Sequence, residues 1–161
     1  MIIVVSDTSP IRALSFLDAL PLLHSLYQQV LIPPAVAQEL ARPRRRFAAT
    51  DLSNYPFIET RNPTDDERIN SLCRTLDRGE SEAISLALEV KADLLLIDER
   101  QGTEAALSLG LRTTGVLGVL IQAKRRGMIG PIGPILNRLV SDLGFHISDS
   151  TRSEVLRLAG E

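Results

Sequence analysis

The distribution of apolar residues predicts an alternation of short strands and helices along the chain. Short apolar runs without polar alternation are typical of strands buried on both faces of a sheet. Such strands are expected at residues 2–5, 30–32, 57–60, 93–97 and 111–114. Helical spacing predicts helices over 8–20, 22–27, 35–41, 62–77, 80–90, 99–109, 115–126, 131–143 and 150–159. Residues 42–54 lack strong periodicity and are expected to form an exposed loop or a short helix.

The order of these elements indicates the fold class. Strands that alternate with helices need crossover connections, which make the strands parallel and place helices on the sheet's faces. The sequence therefore predicts an α/β fold with a central, mostly parallel sheet. A length of 161 residues fits one domain, and no linker or internal repeat divides the chain. We expect a single domain over residues 1–161, with the helices from about residue 131 packed as part of it.

Composition argues against several classes of function. A net charge of −2 provides no general basic surface, so a nucleic acid would have to bind a local patch. Aromatic residues make up 4% of the chain, which argues against base stacking as the main mode of recognition. The single cysteine, Cys73, excludes an internal disulfide and a cysteine-rich zinc site. With no signal-peptide pattern and no membrane-spanning apolar run, a cytoplasmic protein without membrane association is expected.

Two acidic residues follow directly after the strongest predicted strands. Asp7 comes after the apolar run at 2–5, and Asp98 follows the run at 93–97. In an open α/β sheet, ligands bind in the crevice outside the carboxyl ends of the strands. Two carboxylates at that edge suggest a site for a cation.

Two further acids come from helices. On a helical wheel Glu80 lies near the middle of its helix's apolar stripe, whereas Glu82 lies well off that stripe. We therefore expect Glu80 to point inward, which is costly for a carboxylate unless it is paired or binds a metal, and Glu82 to face solvent. Glu39 lies at the edge of the apolar stripe of its own short helix, soon after the strand at 30–32.

Each acid also has a purely structural explanation. Asp98 could cap the helix that starts at Glu99, and the helix dipole alone could favour Glu80 in a first turn. Glu39 could pair with a nearby arginine on the surface. Convergence of all four is more informative, because two like charges about 4 Å apart repel by roughly 1 kcal/mol in water and about 4 kcal/mol near a protein surface. A counter-ion would relieve that repulsion, and hard oxygen ligands select Mg²⁺ or Mn²⁺.

Four segments, in their order and spacing, resemble the PIN domain, the nuclease fold of VapC-like toxins. They lie at residues 6–10, 31–40, 77–84 and 95–100, and the tail at 115–118, 127–129 and 144–148 is similar to one PIN subgroup. The resemblance covers nearly the whole chain and implies a three-layer α/β/α, Rossmann-like architecture. It also implies a ribonuclease that uses Mg²⁺ or Mn²⁺, the toxin of a toxin–antitoxin pair, with an antitoxin protein as partner and a homodimeric assembly.

The resemblance also assigns roles to particular residues. By motif position, Asp7, Glu39, Glu80 and Asp98 match the family's acidic metal ligands and catalytic residues, with Glu82 as a competitor for the third position. Ser9 matches a small polar residue that would hydrogen-bond a ligand carboxylate or a water held by the ion.

Two basic clusters are candidates for holding RNA, and each could instead be a solvated face. The candidate residues are Arg44, Arg45, Arg46 and Lys124. No histidine is well placed as a catalytic base, because His24 and His146 are expected to be structural or surface groups.

Two other functions compete with a ribonuclease. A catalytically silent PIN-like module would bind RNA or a protein partner without cleaving it. A phospho-acceptor receiver domain would also gather acids at strand ends, but it expects a paired acid near the first strand and a lysine after a late strand. Asp7 stands alone, and Lys124 lies inside a helical pattern, so the receiver domain is the weakest of the three.

Overall fold

The computed structural model describes residues 2–161, and in it five strands form one parallel sheet. Each pair of neighbouring strands is parallel, and the spatial order is β3-β2-β1-β4-β5. The strands are β1 (Val4–Ser6), β2 (Val30–Ile32), β3 (Ile58–Thr60), β4 (Leu94–Leu96) and β5 (Thr113–Thr114).

Helices connect the strands and complete the chain. The described residues contain α1 (Thr8–Phe16), α2 (Pro21–Tyr27), α3 (Pro34–Leu40), α4 (Asp66–Leu72), α5 (Arg78–Glu89), α6 (Arg100–Ser108), α7 (Val116–Arg125), α8 (Gly133–Leu143) and α9 (Asp149–Leu158). A short 3-10 turn at Leu52–Asn54 lies in the segment predicted as a loop or short helix. Within residues 2–161, no helix is both long and apolar enough to span a bilayer.

The sheet separates two apolar cores. Successive strand residues point to opposite faces, so Val4 belongs to the core that includes residues of α1, α2, α7, α8 and α9, while Val5 belongs to the core that includes residues of α5 and α6. Both valines are almost fully buried. This arrangement is a three-layer α/β/α fold around a parallel sheet, and the predicted fold class is confirmed.

Some predicted element boundaries differ from the observed ones for local reasons. Helix α1 ends at Phe16 because Asp18 takes a left-handed conformation, with φ of 54°. Gly79, which falls between the helices predicted over 62–77 and 80–90, lies inside the first turn of α5. That helix begins at Arg78 because Asp77 and Glu80 form a capping box, in which each side chain accepts a hydrogen bond from the other's backbone N–H.

The strand order places a topological switch point beside β1. From β1 the chain builds outward to β2 and β3 on one side, and later to β4 and β5 on the other. The crevice outside the carboxyl ends of β1 and β4 is the place where open α/β sheets bind ligands. Asp7 and Asp98 follow these two neighbouring strands, and the Asp7 amide donates to the Leu96 carbonyl over 2.8 Å.

Candidate active site

One cavity at the carboxyl edge of the sheet is lined by all four predicted acids. Its volume is about 750 Å³, within the range of small-ligand sites. Its acidic lining residues, which we call the acidic floor, are Asp7, Glu39, Asp77, Glu80, Asp98 and Glu99. Ser9 and two of the predicted RNA-binding arginines, Arg44 and Arg45, line the same cavity.

Asp7 is the most buried acid of the floor. It is the N-cap residue of α1, yet its carboxylate makes no side-chain capping hydrogen bond, and the residue is only 3% exposed. The pKa of Asp7 is raised to about 8: burial is the largest cause, the Thr8 backbone acts in the opposite direction, and the charges of Asp77, Glu80 and Glu39 add to the rise. The carboxyl group is therefore costly to ionise unless a cation compensates it.

Glu39 reaches the cavity from α3 and is oriented by a hydroxyl. Its Oε2 accepts a hydrogen bond of 2.6 Å from Thr8 Oγ1, and among residues 2–161 it forms no ion pair. The surface pairing with an arginine that was an alternative for Glu39 is therefore not observed. Gly79 allows this position, because a Cβ there would lie 2.6 Å from Glu39 Oε1.

Of the two partners expected for Ser9, an acid of the floor or a water held by the ion, the first is not observed among residues 2–161. Ser9 lines the cavity, but within the described chain its side chain makes no hydrogen bond. Thr8, the residue before it, donates to Glu39 instead. The helical turn after Asp7 explains the difference, since Thr8 is the helix residue buried beside α3 while Ser9 is half-buried.

Glu80 points inward as predicted, but the expectation that Glu82 faces solvent was wrong. Both residues are 7% exposed. Glu80 lines the cavity, whereas Glu82 lies behind it: Oε1 accepts from the Ala35 amide at the start of α3, and Oε2 pairs with Arg78 Nε over 2.6 Å. Burial and the charge of Asp77 raise the pKa of Glu80. Of the two candidates for the third acid, only Glu80 faces the cavity.

Removing the Glu82 carboxylate is expected to reduce stability without a direct effect on the cavity. Glu82→Ala leaves the Ala35 amide and the Arg78 guanidinium without their partner, which is expected to lower the free energy of unfolding by about 1–3 kcal/mol. Urea unfolding monitored by circular dichroism measures the loss. An unchanged free energy of unfolding would show that this buried carboxylate has no structural role.

Asp98 caps a helix, but a different one from the helix considered in the sequence. Its two carboxylate oxygens accept from the Val116 amide over 3.1 and 3.3 Å, at the start of α7, while Glu99 occupies the N-cap position of α6. Gly115 leaves room for this contact, because a Cβ there would clash with Asp98 Oδ1. The pKa of Asp98 is raised to about 6, mainly by burial, with the Val116 amide acting to lower it and the charge of Glu99 adding to the rise.

Two acids of the floor were absent from the predicted site. Asp77 and Glu99 are both exposed, both line the cavity, and they are the N-cap residues of α5 and α6. The spacing of Asp77 and Glu80 is that of a capping box, and this signal could have placed Asp77 beside Glu80. Both acids add negative potential, since Asp77 raises the pKa of Asp7 and Glu99 raises that of Asp98.

The donor atoms of the acidic floor suit a hard cation, but its side chains are not already arranged around one. Carboxylate oxygens are the donors that Mg²⁺ and Mn²⁺ prefer. Across residues 2–161, however, no three His, Cys, Asp or Glu side chains lie close enough together to hold an ion as they stand. Thr8, the Asp77 amide and the Val116 amide each hold one acid by a hydrogen bond. An ion held by three acids would therefore require side-chain rotation.

The basic candidates separate into two groups. Arg44 and Arg45 line the cavity on a tight turn, in which Arg44 and Phe47 exchange two backbone hydrogen bonds of 2.9 Å. Arg46 turns away and donates to the Asp142 carbonyl over 2.6 Å. Lys124 does not line the cavity, because it lies on α7 and pairs with Glu161 at 3.6 Å. The geometry therefore favours Arg44 and Arg45 over the other two.

Arg12 was not singled out in the sequence, although it is buried at the edge of the cavity. Its Nη2 donates to the carbonyls of Glu39 and Arg42 over 2.6 and 3.1 Å, and its guanidinium lies 5.7 Å from the Phe47 ring centroid. Burial lowers its pKa, while Glu39 raises it. Arg12 thus fastens the end of α3 to the turn that carries Arg44 and Arg45.

Residues 3–161 match the model of a protein family described as DUF3368, PIN domain. No curated protein matches the chain significantly. The family match spans nearly the whole chain, and it agrees with the observed parallel sheet between two helical layers.

Proposed function

Because this chain belongs to the PIN-domain family, we propose that it is a ribonuclease that hydrolyses RNA phosphodiester bonds with Mg²⁺ or Mn²⁺. PIN domains are generally nucleases and typically use divalent metals, so the chain has a nuclease-type fold. The choice of RNA as substrate and the dependence on a metal are our proposals.

The observation that carries the proposal is the burial of Asp7 among other acids. The residue is 3% exposed at the switch point of the sheet, and three neighbouring carboxylates raise its pKa. Asp7 occupies the N-cap position of α1 but makes no side-chain capping hydrogen bond, and the Thr8 backbone, which lowers its pKa, does not offset the effect of burial. Perturbed carboxyl groups in a cleft are typical of functional sites. An uncompensated acid at this position is best explained by a cation that binds there during function.

The residues of the floor would hold and orient the reacting groups. A bound Mg²⁺ or Mn²⁺ would supply an activated water and stabilise charge on the phosphate oxygens. Asp7 and Asp98 would hold the ion from the ends of β1 and β4, and Glu39 and Glu80 would complete its ligands from α3 and α5. Thr8 orients Glu39 through its 2.6 Å hydrogen bond. Arg44 and Arg45 at the rim would neutralise RNA phosphates and make binding salt-dependent.

A silent binding module remains the second candidate, because three of the four acids already have structural partners. Glu80 takes part in a capping box, Asp98 caps α7 and Glu39 accepts from Thr8. The two functions differ in an assay of purified protein with labelled single-stranded RNA. A ribonuclease cleaves the RNA when Mn²⁺ is added and stops when EDTA is added, whereas a silent module binds the RNA and leaves it intact in both conditions.

The biological setting that we propose is a toxin–antitoxin pair in the cytoplasm. The support is the resemblance to VapC-like toxins, which also suggests a homodimer and an antitoxin protein that binds the toxin. Expression of the chain alone should then arrest growth, and expression of the neighbouring small reading frame should restore it. Growth that is unaffected by an RNA-cleaving protein would contradict the toxin role and leave the ribonuclease proposal in place.

A further inference from the structure

The cavity is also lined by residues that are mostly apolar, in addition to its acidic floor. Six residues form this part of the lining, which we call the apolar wall: Phe47, Leu117, Leu143, Phe145, His146 and Ile147. The chain has four phenylalanines and two histidines, and two of the former and one of the latter line this one cavity. Two of the chain's six phenylalanine and tyrosine rings therefore line the same cavity as the acidic floor.

Backbone hydrogen bonds fix the short segments that carry the apolar wall. Helix α8 ends at Gly144, whose left-handed conformation (φ 71°) turns the chain back, and the Phe145 amide then donates to the Leu139 carbonyl over 3.0 Å. Phe145 and Ile147 are half-buried against the larger core, so each keeps part of its side chain facing the cavity. Phe145 is thus presented on a fixed backbone.

Phe47, the other phenylalanine of the apolar wall, lies on a turn that is hydrogen-bonded to the segment carrying Phe145. Phe47 lies on the turn closed by its two hydrogen bonds with Arg44, and Arg12 lies over its ring. Arg46, on the same turn, donates to the Asp142 carbonyl at the end of α8, 96 residues away in sequence. This contact joins the two segments that carry Phe47 and Phe145.

We propose that the apolar wall binds an unpaired nucleobase of the RNA next to the phosphate that is cleaved. The inference rests on the proposed function, since it adds the recognition of a base to that same site. One cavity combines arginines for phosphate, acids for a cation and flat rings for a base. Unstacked bases of single strands stack on aromatic side chains, whereas paired bases are not available for this contact. The substrate is therefore single-stranded RNA, with a base turned onto Phe145 and Phe47.

Fluorescence of a modified base tests this contact. The probe is a 12-nucleotide single-stranded RNA in which 2-aminopurine replaces one base at successive positions; its fluorescence falls on stacking. Binding is measured in Ca²⁺, and a gel verifies that the strand stays intact. At the position that meets the wall, the wild-type protein should quench the fluorescence. Phe145→Leu should remove the quenching and weaken binding roughly 5- to 150-fold, the range for loss of one stacked base.

Matched variants separate stacking from structural effects. Phe145→Tyr keeps a flat ring and should restore quenching and affinity. Phe57→Leu makes the same substitution at a half-buried ring that stacks on His24 outside the cavity, so it should bind RNA as the wild type does. Phe47→Leu supplies a second test of the wall if Phe145→Leu does not fold. Circular dichroism verifies the fold of each variant.

The outcomes separate this inference from the proposed function. Quenching that persists in both wall variants, or wild-type protein that binds no RNA, overturns the base-binding wall. Wall variants that bind RNA normally but lose a co-purifying protein partner would identify the wall as a protein-binding surface and also overturn it. Quenching that depends on Phe145 in a protein that does not cleave RNA with Mn²⁺ would support the wall and contradict only the ribonuclease.

Discussion

Asp7→Asn is expected to lower the rate of Mn²⁺-dependent RNA cleavage by roughly a thousandfold or more while the protein stays folded. A metal contributes several kcal/mol of transition-state stabilisation, and each 1.4 kcal/mol or so is a factor of ten in rate. Asparagine keeps the size of the side chain but removes the carboxyl group that would ionise to hold the cation. Single-turnover cleavage of a labelled RNA, with the fold verified by circular dichroism, measures the loss.

The matched control is Asp66→Asn, which makes the same change of charge at an exposed residue. Asp66 lies in the first turn of α4 and does not line the cavity. Its variant should cleave RNA at the wild-type rate. If Asp7→Asn protein is folded and cleaves RNA at the wild-type rate, the assignment of the acidic floor as the catalytic site is contradicted.

In the absence of divalent ions, we expect the free energy of unfolding to depend on pH through Asp7. The pKa of Asp7 is raised from 3.8 to about 8, mainly by burial. A carboxyl group whose pKa is raised in the folded state does not reduce the free energy of unfolding below its unfolded pKa, because it is protonated in both the folded and the unfolded state. The reduction grows as pH rises above about 4 and is complete above the folded pKa near 8. At pH 7 it is on the order of 4 kcal/mol.

Comparison with Asp7→Asn isolates this contribution. In EDTA, the free energy of unfolding of the wild type should fall relative to that of Asp7→Asn as pH rises from 5 to 8. The same sign applies to Asp98, whose pKa is raised to about 6, and that contribution is common to both proteins. Urea unfolding at several pH values gives the difference, with Asp66→Asn expected to follow the wild type. Parallel pH profiles for wild type and Asp7→Asn would show that the buried acid carries no ionisation penalty.

The strand-end acids show which part of the site could be predicted. Asp7 and Asp98 follow buried strands, and parallel strands bring their carboxyl ends to one edge of the sheet. The alternation of strands and helices was therefore enough to place both acids at that edge. It could not give the order β3-β2-β1-β4-β5, because the side on which each crossover returns is a property of the whole fold.

Glu82 shows why a helical wheel has limits. The wheel compared each residue of α5 with that helix's own apolar stripe, and it assumed that the opposite face meets solvent. In the structure α5 packs against the sheet on one side and against α3 on another, so residues 79–87 are buried without interruption. Glu82 is then buried by a neighbouring helix, and its carboxylate caps that helix at Ala35.

Asp98 and Phe145 reach the site through contacts between residues that are far apart in sequence, which local sequence patterns do not predict. A cap is sought in the next few residues, but Asp98 accepts from Val116, which lies 18 residues later in the chain. Phe145 belongs to the tail, and only the path of α8 and its turn at Gly144 bring that ring to the acidic floor. The aromatic content of the sequence gives the number of rings but not where the fold places them.

Calorimetric titration of Mn²⁺ at pH 7 tests most directly whether the acidic floor binds a divalent cation. Two buffers with different ionisation enthalpies also give the number of protons released. Because the pKa of Asp7 is about 8, its carboxyl group must lose a proton when it binds a cation. The wild type should bind Mn²⁺ saturably and release roughly one proton, and Asp7→Asn should lose both the binding and the release. Wild-type protein that binds no Mn²⁺, or Asp7→Asn protein that binds it equally well, would contradict the assignment.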